Sequence, residues 1–211
     1  MGGINFSDSI TFYHPELKSI IGKDEAEKIK FIDSYFDKFY KLHIVEFKGY
    51  SIRMKDCWKK YEQDFIKELN IIFKNPKKPK GKYIGYLSVI NCNPRFLNNK
   101  TFQIFYGHKV GSNYVTMHEV LHFFFYDHAI NKYPKIFKKL DTNDGIFWEL
   151  SELFNAVIMS SDHFMNGKYA DITKPYPAHQ KYFEKMKEIW NIKPDINNWL
   201  IEAYDYLSRQ K

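Results

Sequence analysis

Near the middle of the chain stands Met117-His118-Glu119-Val120-Leu121-His122-Phe123, an H-E-x-x-H sequence inside an apolar run. Residues four apart share a helix face, so the two imidazoles can close on one metal ion while Glu119 holds a water beside it. Three protein ligands and one open position for water are the arrangement of a hydrolytic zinc site. His118 and His122 are therefore candidate ligands of Zn²⁺, and Glu119 is the candidate general base for the water's proton. A pair of ordinary core histidines is the plainer alternative. Val115, Met117, Val120, Leu121, Phe123, Phe124 and Phe125 surround both rings, which predicts a central helix over about 114–130. Buried there, two imidazoles and a carboxylate without partners would be costly, and a metal ion relieves that cost.

Two places in the chain compete for the third ligand. His128 completes H-E-x-x-H-x-x-x-x-x-H, the overall spacing of metzincins, with Met159 as a candidate Met-turn. Those enzymes place a glycine where Phe125 stands here, and the glycine breaks the helix so that the chain turns back to the metal. If the helix continues through Phe125, His128 lies ~240° around the axis from His122 and faces away. The other place is the apolar stretch Ile146 to Met159, which carries Glu149 and Glu152 three apart on one face. Its entry, Asp141-Thr142-Asn143-Asp144-Gly145, is a turn and capping cluster. Such a helix can return antiparallel to the first and bring one carboxylate to the ion. Spacing alone leaves Glu149, Glu152 and His128 open.

Residues 111–160 resemble the gluzincin branch of the zincin metallopeptidases, in which a Glu on a helix downstream of H-E-x-x-H is the third ligand. The stretch Glu152-Leu153-Phe154-Asn155-Ala156 looks like the ligand helix of compact bacterial metallopeptidases related to the ImmA family. The resemblance implies His118, His122 and Glu152 as ligands, Glu119 as general base, and Glu149 and His128 as the alternatives. It implies an α+β, helix-rich zincin-like fold with a small β-sheet packed beside the motif helix. The activity implied is zinc-dependent cleavage of a peptide or protein substrate. The rival reading is a catalytically silent zincin fold that binds a protein or nucleic-acid partner.

The elements that must position these groups follow from periodicity. Residues 1–23 show no clear period and are expected to wrap the surface, with His14 exposed. Apolar residues at helical spacing predict one helix over about 24–47, its aromatic stripe in the core, a break at Gly49, and a second helix over about 54–73. The proline- and lysine-rich segment 74–82 reads as an exposed turn. Strands are expected over 83–91 and 101–106, paired as a hairpin, with the edge around Phe102 to Tyr106 offered to an extended peptide. Ser112 or Asn113 is the expected cap of the motif helix. Within 162–180, His163, Tyr169, Tyr176 and His179 could supply a donor to a developing oxyanion, and His179 is favoured because it stands at the entry of the next helix. Two packing helices, about 179–190 and 194–209, close the chain.

The expected organisation is one domain over 1–211: N-terminal helices and sheet in 1–110, metal-site helices in 111–161, and a helical part in 162–211. A hydrophobic fraction of 44% and an aromatic fraction of 18% exclude wholesale disorder. The net charge of +7 is mostly lysine in a chain also rich in Ile, Asn, Phe and Tyr, as AT-biased coding would produce, so a nucleic-acid partner is the weaker reading. Cys57 and Cys92 lack the spacing of a metal or redox pair. No secretory signal, myristoylation motif or membrane-spanning apolar run is read, and a cytoplasmic protein is expected. Nothing in the sequence sets an oligomeric state.

Overall fold

The computed structural model describes residues 6–74 and 81–210. They form a helix-rich α+β structure with one small mixed sheet. No helix among them is long and apolar enough to cross a membrane. The chain begins with α1 (Phe6–Tyr13) and a tight 3-10 turn over Pro15–Ile20. This is not the surface wrapping expected, because Leu17 and Ile20 are buried and His14 is fully shielded. His14 is buried because both ring nitrogens are used: Nε2 donates to the Val89 carbonyl at 2.9 Å, and Nδ1 lies 3.0 Å from the Tyr35 hydroxyl. Phe36 and Phe39 pack edge-on against the ring.

A single helix, α2 (Glu25–Ile72), replaces the two helices expected. Asp24 caps it by accepting from the Glu27 N–H. Gly49 lies inside it without a break, since a helical glycine costs only about 1 kcal/mol and a long helix absorbs that. Its aromatic stripe is also less buried than periodicity predicts. Phe47, Phe65, Leu69 and Ile72 are covered, while Ile29, Ile32, Tyr40 and Leu42 are exposed. The difference lies in what is available to pack: the second half of α2 meets the sheet and the motif helix, and the first half meets mainly the His14 region. The turn expected over 74–82 falls largely on 75–80, outside the described residues.

The sheet comprises β1 (Ile84–Ser88), β2 (Arg95–Phe96) and β3 (Thr101–Phe105), in the order β1-β3-β2. The hairpin expectation fails here. β1 and β3 run parallel, with Ile84 opposite Thr101 and Ser88 opposite Phe105. The connecting stretch is about a dozen residues, enough for a crossover. β3 is consequently the middle strand and offers no free edge: β2 pairs with Thr101 and Phe102, the Gln103 N–H donates to the Pro94 carbonyl, and the Phe105 N–H donates to Asn93 Oδ1. The peptide-binding edge expected at Phe102 to Tyr106 is thus already occupied.

Gly111, at φ +94°, turns the chain into α3 (Ser112–Lys132), and no side chain caps that helix, contrary to the Ser112 or Asn113 expected. α3 is buried on almost every side, including an unbroken run from Glu119 to Tyr126. After the one-turn helix α4 (Pro134–Phe137), the Asp144 carboxylate accepts from the Gly145 N–H and starts α5 (Gly145–Met159). Helices α6 (Gln180–Ile192) and α7 (Ile196–Ser208) pack over α5. Trp199 locks them: it is fully buried against Phe125 and Phe154, and its indole N–H donates to the Met186 carbonyl. Burying such a side chain contributes about 2–3 kcal/mol, which fixes α5 relative to α3.

Candidate metal centre

His118 and His122 share one face of α3, and α5 brings Glu152 up to them. The two Nε2 atoms are 3.1 Å apart with their rings near perpendicular, at 82°. Glu152 straddles the pair, Oε2 lying 3.3 Å from His118 Nε2 and Oε1 lying 3.3 Å from His122 Nε2. One ligand atom from each residue falls within 4.8 Å of the others, so the three could hold a metal ion. Size supports the fit. Ligands ~2.05 Å from a tetrahedral ion are separated by ~3.3 Å, close to the spacings here.

Burial and charge set the protonation of the cluster. His122 is completely buried, and that burial, helped by the Arg95 guanidinium, pushes it down to about 3, keeping it neutral as a ligand must be. Burial works against the charged forms of Glu152 and His118 as well, yet their contacts prevail: His122 and His118 hold the Glu152 carboxyl well below its ordinary range, and Glu152 raises the His118 imidazole. Glu119 follows the opposite course: burial pushes it up to about 7. Its Oε2 is buried without a hydrogen-bond partner among the described residues. An acid of this kind, adjacent to two ligands, is suited to exchanging protons near neutral pH.

A cleft of about 600 Å³ opens onto His118, Glu119 and Glu152, walled by Asn91, His108, Tyr114, Thr173 and Tyr176 among others. Tyr114 lies nearly parallel to the His118 ring at 6.3 Å. A second groove, about 660 Å³, runs between α2 and the sheet past Trp58, Phe65 and Phe102, but the ligand cluster does not open onto it. No protein-family model, curated protein or solved structure matches the chain. The geometry therefore carries the functional reading by itself.

The other sequence candidates lie elsewhere. The helix does continue through Phe125, and His128 Nε2 lies 3.0 Å from Asn197 Oδ1, turned toward α7. Glu149 is directed to His179, Oε1 to Nε2 at 4.0 Å, and neither joins the triad. His179, favoured as an oxyanion donor, is buried against Trp148 at the start of α6 and does not line the cleft. Tyr176 from the same segment does line it, whereas His163 is exposed and Tyr169 is buried against Tyr114.

Three supporting residues have no role assigned from the sequence, although Asn155 stands in the stretch that resembles a ligand helix. Arg95 Nη1 donates to Glu152 Oε1 at 3.2 Å, and Nη2 donates to the Tyr126 hydroxyl at 3.1 Å. Tyr126, one turn after His122, lies almost parallel to that imidazole and donates to the Thr142 carbonyl. Asn155 Nδ2 donates to the His118 carbonyl at 2.8 Å, tying α5 to α3 at the site itself. Asn155 carries a readable signal, a polar residue three after Glu152 on the same helix face. Arg95 carries none, being a single arginine after Pro94 in a turn-like stretch.

Proposed function

We propose that this chain is a zinc-dependent metallopeptidase. The observation that carries the reading is the convergence of His118, His122 and Glu152 at tetrahedral spacing, with Glu119 on the same cleft and one of its oxygens unpartnered. Zinc bound there would polarise a carbonyl and acidify a water. Glu119 accepts the water's proton and returns it to the leaving amine, a two-way role that suits a carboxyl poised near neutrality. Low dielectric around His122 and Glu152 strengthens each charge interaction in the site. Tyr114 and Tyr176 supply flat aromatic walls against which an acyl chain can lie.

The reading is tested on protein purified from metal-replete medium, by metal analysis and by hydrolysis of denatured casein. Native protein should carry about one zinc and cleave the substrate. Glu119→Gln should keep zinc and lose more than about 100-fold in rate, as expected when a general base is removed. His122→Ala should lose zinc. A native protein without a divalent ion ends the proposal; zinc without turnover favours the silent binding module instead.

A further inference from the structure

The shortest strand of the sheet serves a purpose its length does not suggest. β2 is only Arg95 and Phe96, and its pairing with β3, Arg95 opposite Phe102, fixes the backbone from which one guanidinium reaches the metal cluster. That guanidinium is nearly buried, with 10% of its side chain exposed. Its Nη1 meets Glu152 Oε1, its Nη2 meets the Tyr126 hydroxyl at 3.1 Å and the Thr142 carbonyl at 3.4 Å, and its plane lies over the Tyr126 ring at 5.5 Å. Tyr126 is anchored in turn, with its hydroxyl 2.8 Å from the Thr142 carbonyl and 2.6 Å from Ser151 Oγ, and Ser151 donates to the Trp148 carbonyl. The chain of contacts thus runs from β2 through the motif helix to the helix that carries Glu152.

A buried carboxylate needs a charge opposite it and a fixed orientation. An imidazole that offers its Nε2 lone pair to an ion is neutral, so as ligands the two histidines supply no charge to hold the carboxylate. Arg95 does, since a guanidinium is always protonated and its planar fork sets the plane of the group it binds. We propose that Arg95 is the positioning residue of this centre, pinning the Glu152 carboxylate between the two histidines before any ion arrives. The proposal rests on the metal reading of the site and adds that the third ligand is pre-set by a residue that does not itself face the cleft.

The test compares native protein with Arg95→Met, Arg95→Lys and Tyr126→Phe. Zn²⁺ affinity is measured by competition with a chromophoric chelator, and the visible spectrum is recorded with Co²⁺ in place of zinc. Arg95→Met should bind zinc about 10- to 100-fold more weakly, the usual cost of losing a residue that orients a ligand, and its Co²⁺ spectrum should change. Arg95→Lys should recover part of the affinity. Tyr126→Phe, which removes only the hydroxyl anchoring Arg95, should weaken binding a few-fold in the same direction, and it carries the test if Arg95→Met does not fold. Native protein that binds zinc beside variants that bind it as tightly or more tightly, with the native spectrum, overturns the positioning role alone. Native protein that binds no zinc overturns the metal reading and this proposal with it.

Discussion

Among the described residues, His14 and His122 are both fully shielded from solvent, and their surroundings differ in kind. His14 sits among the rings of Tyr35, Phe36 and Phe39, and both its nitrogens have protein partners, the Tyr35 hydroxyl and the Val89 carbonyl. His122 turns Nε2 toward another imidazole and a carboxylate, while its Nδ1 has no hydrogen-bond partner among the described residues. One pocket is complete without a ligand. The other gathers three candidate ligand atoms around a point, and Oε2 of the acid beside them, Glu119, is buried without a hydrogen-bond partner among the described residues. A buried histidine is therefore no signal for metal by itself; the signal is what its second partner lacks.

The comparison can be broken by replacing each ring with leucine. The largest effect is expected at His122: His122→Leu should weaken Zn²⁺ binding by more than about 100-fold, beyond what loss of a merely supporting residue causes. The metal-free protein should stay folded, because Arg95 still pairs with Glu152. Calorimetry with and without zinc reads both quantities, and zinc binding that survives the change would erase the distinction. His14→Leu should do the reverse. It strands the Val89 carbonyl and the Tyr35 contact, so denaturant titration should show a loss of about 2 kcal/mol while zinc affinity is unchanged. A zinc defect in that variant would mean that the two pockets are coupled.

A smaller effect sharpens the same contrast at the surface. Asp195 is another group satisfied within the protein, accepting from the Asn197 and Asn198 N–H groups at the start of α7 and pairing with Lys74. Its hydrogen bond with Lys74 helps bring it down to about 2. Because the folded value lies below the unfolded one, this contribution is complete above about pH 4 and is lost as pH falls toward 2. Asp195→Ala should cost about 1 kcal/mol near neutrality through the lost cap and should flatten that part of the acid-unfolding profile. An unchanged profile would show that the carboxylate contributes nothing.

The histidine pair is legible in the sequence because its geometry is local, four residues apart on one helix. Glu152 is singled out there only by the resemblance, since Glu149 stands in the same apolar helix and spacing leaves both open. Arg95 is not legible, because its contact with Glu152 spans 57 residues and depends on a strand of two residues. The parallel pairing of β1 and β3 is hidden for a related reason: two short apolar runs specify strands but not their relative direction, which here is set by the crossover through β2. Gly49 misleads because a glycine is a weak breaker where the helix on both sides is long. His14 misleads in the opposite sense, since a His-Pro pair looks like surface until Val89, far along the chain, supplies its partner.

The unbroken α2 has one further consequence, for motion in solution. At 48 residues it is ~72 Å long, whereas a compact chain of 211 residues has a radius of gyration of only ~17 Å. A rod of that length cannot be tucked into such a ball, and its first half leaves Ile29, Leu42 and Val45 bare. The molecule should tumble more slowly and meet more drag than its 25.4 kDa implies, eluting from a sizing column ahead of a round protein of equal mass without any second copy bound.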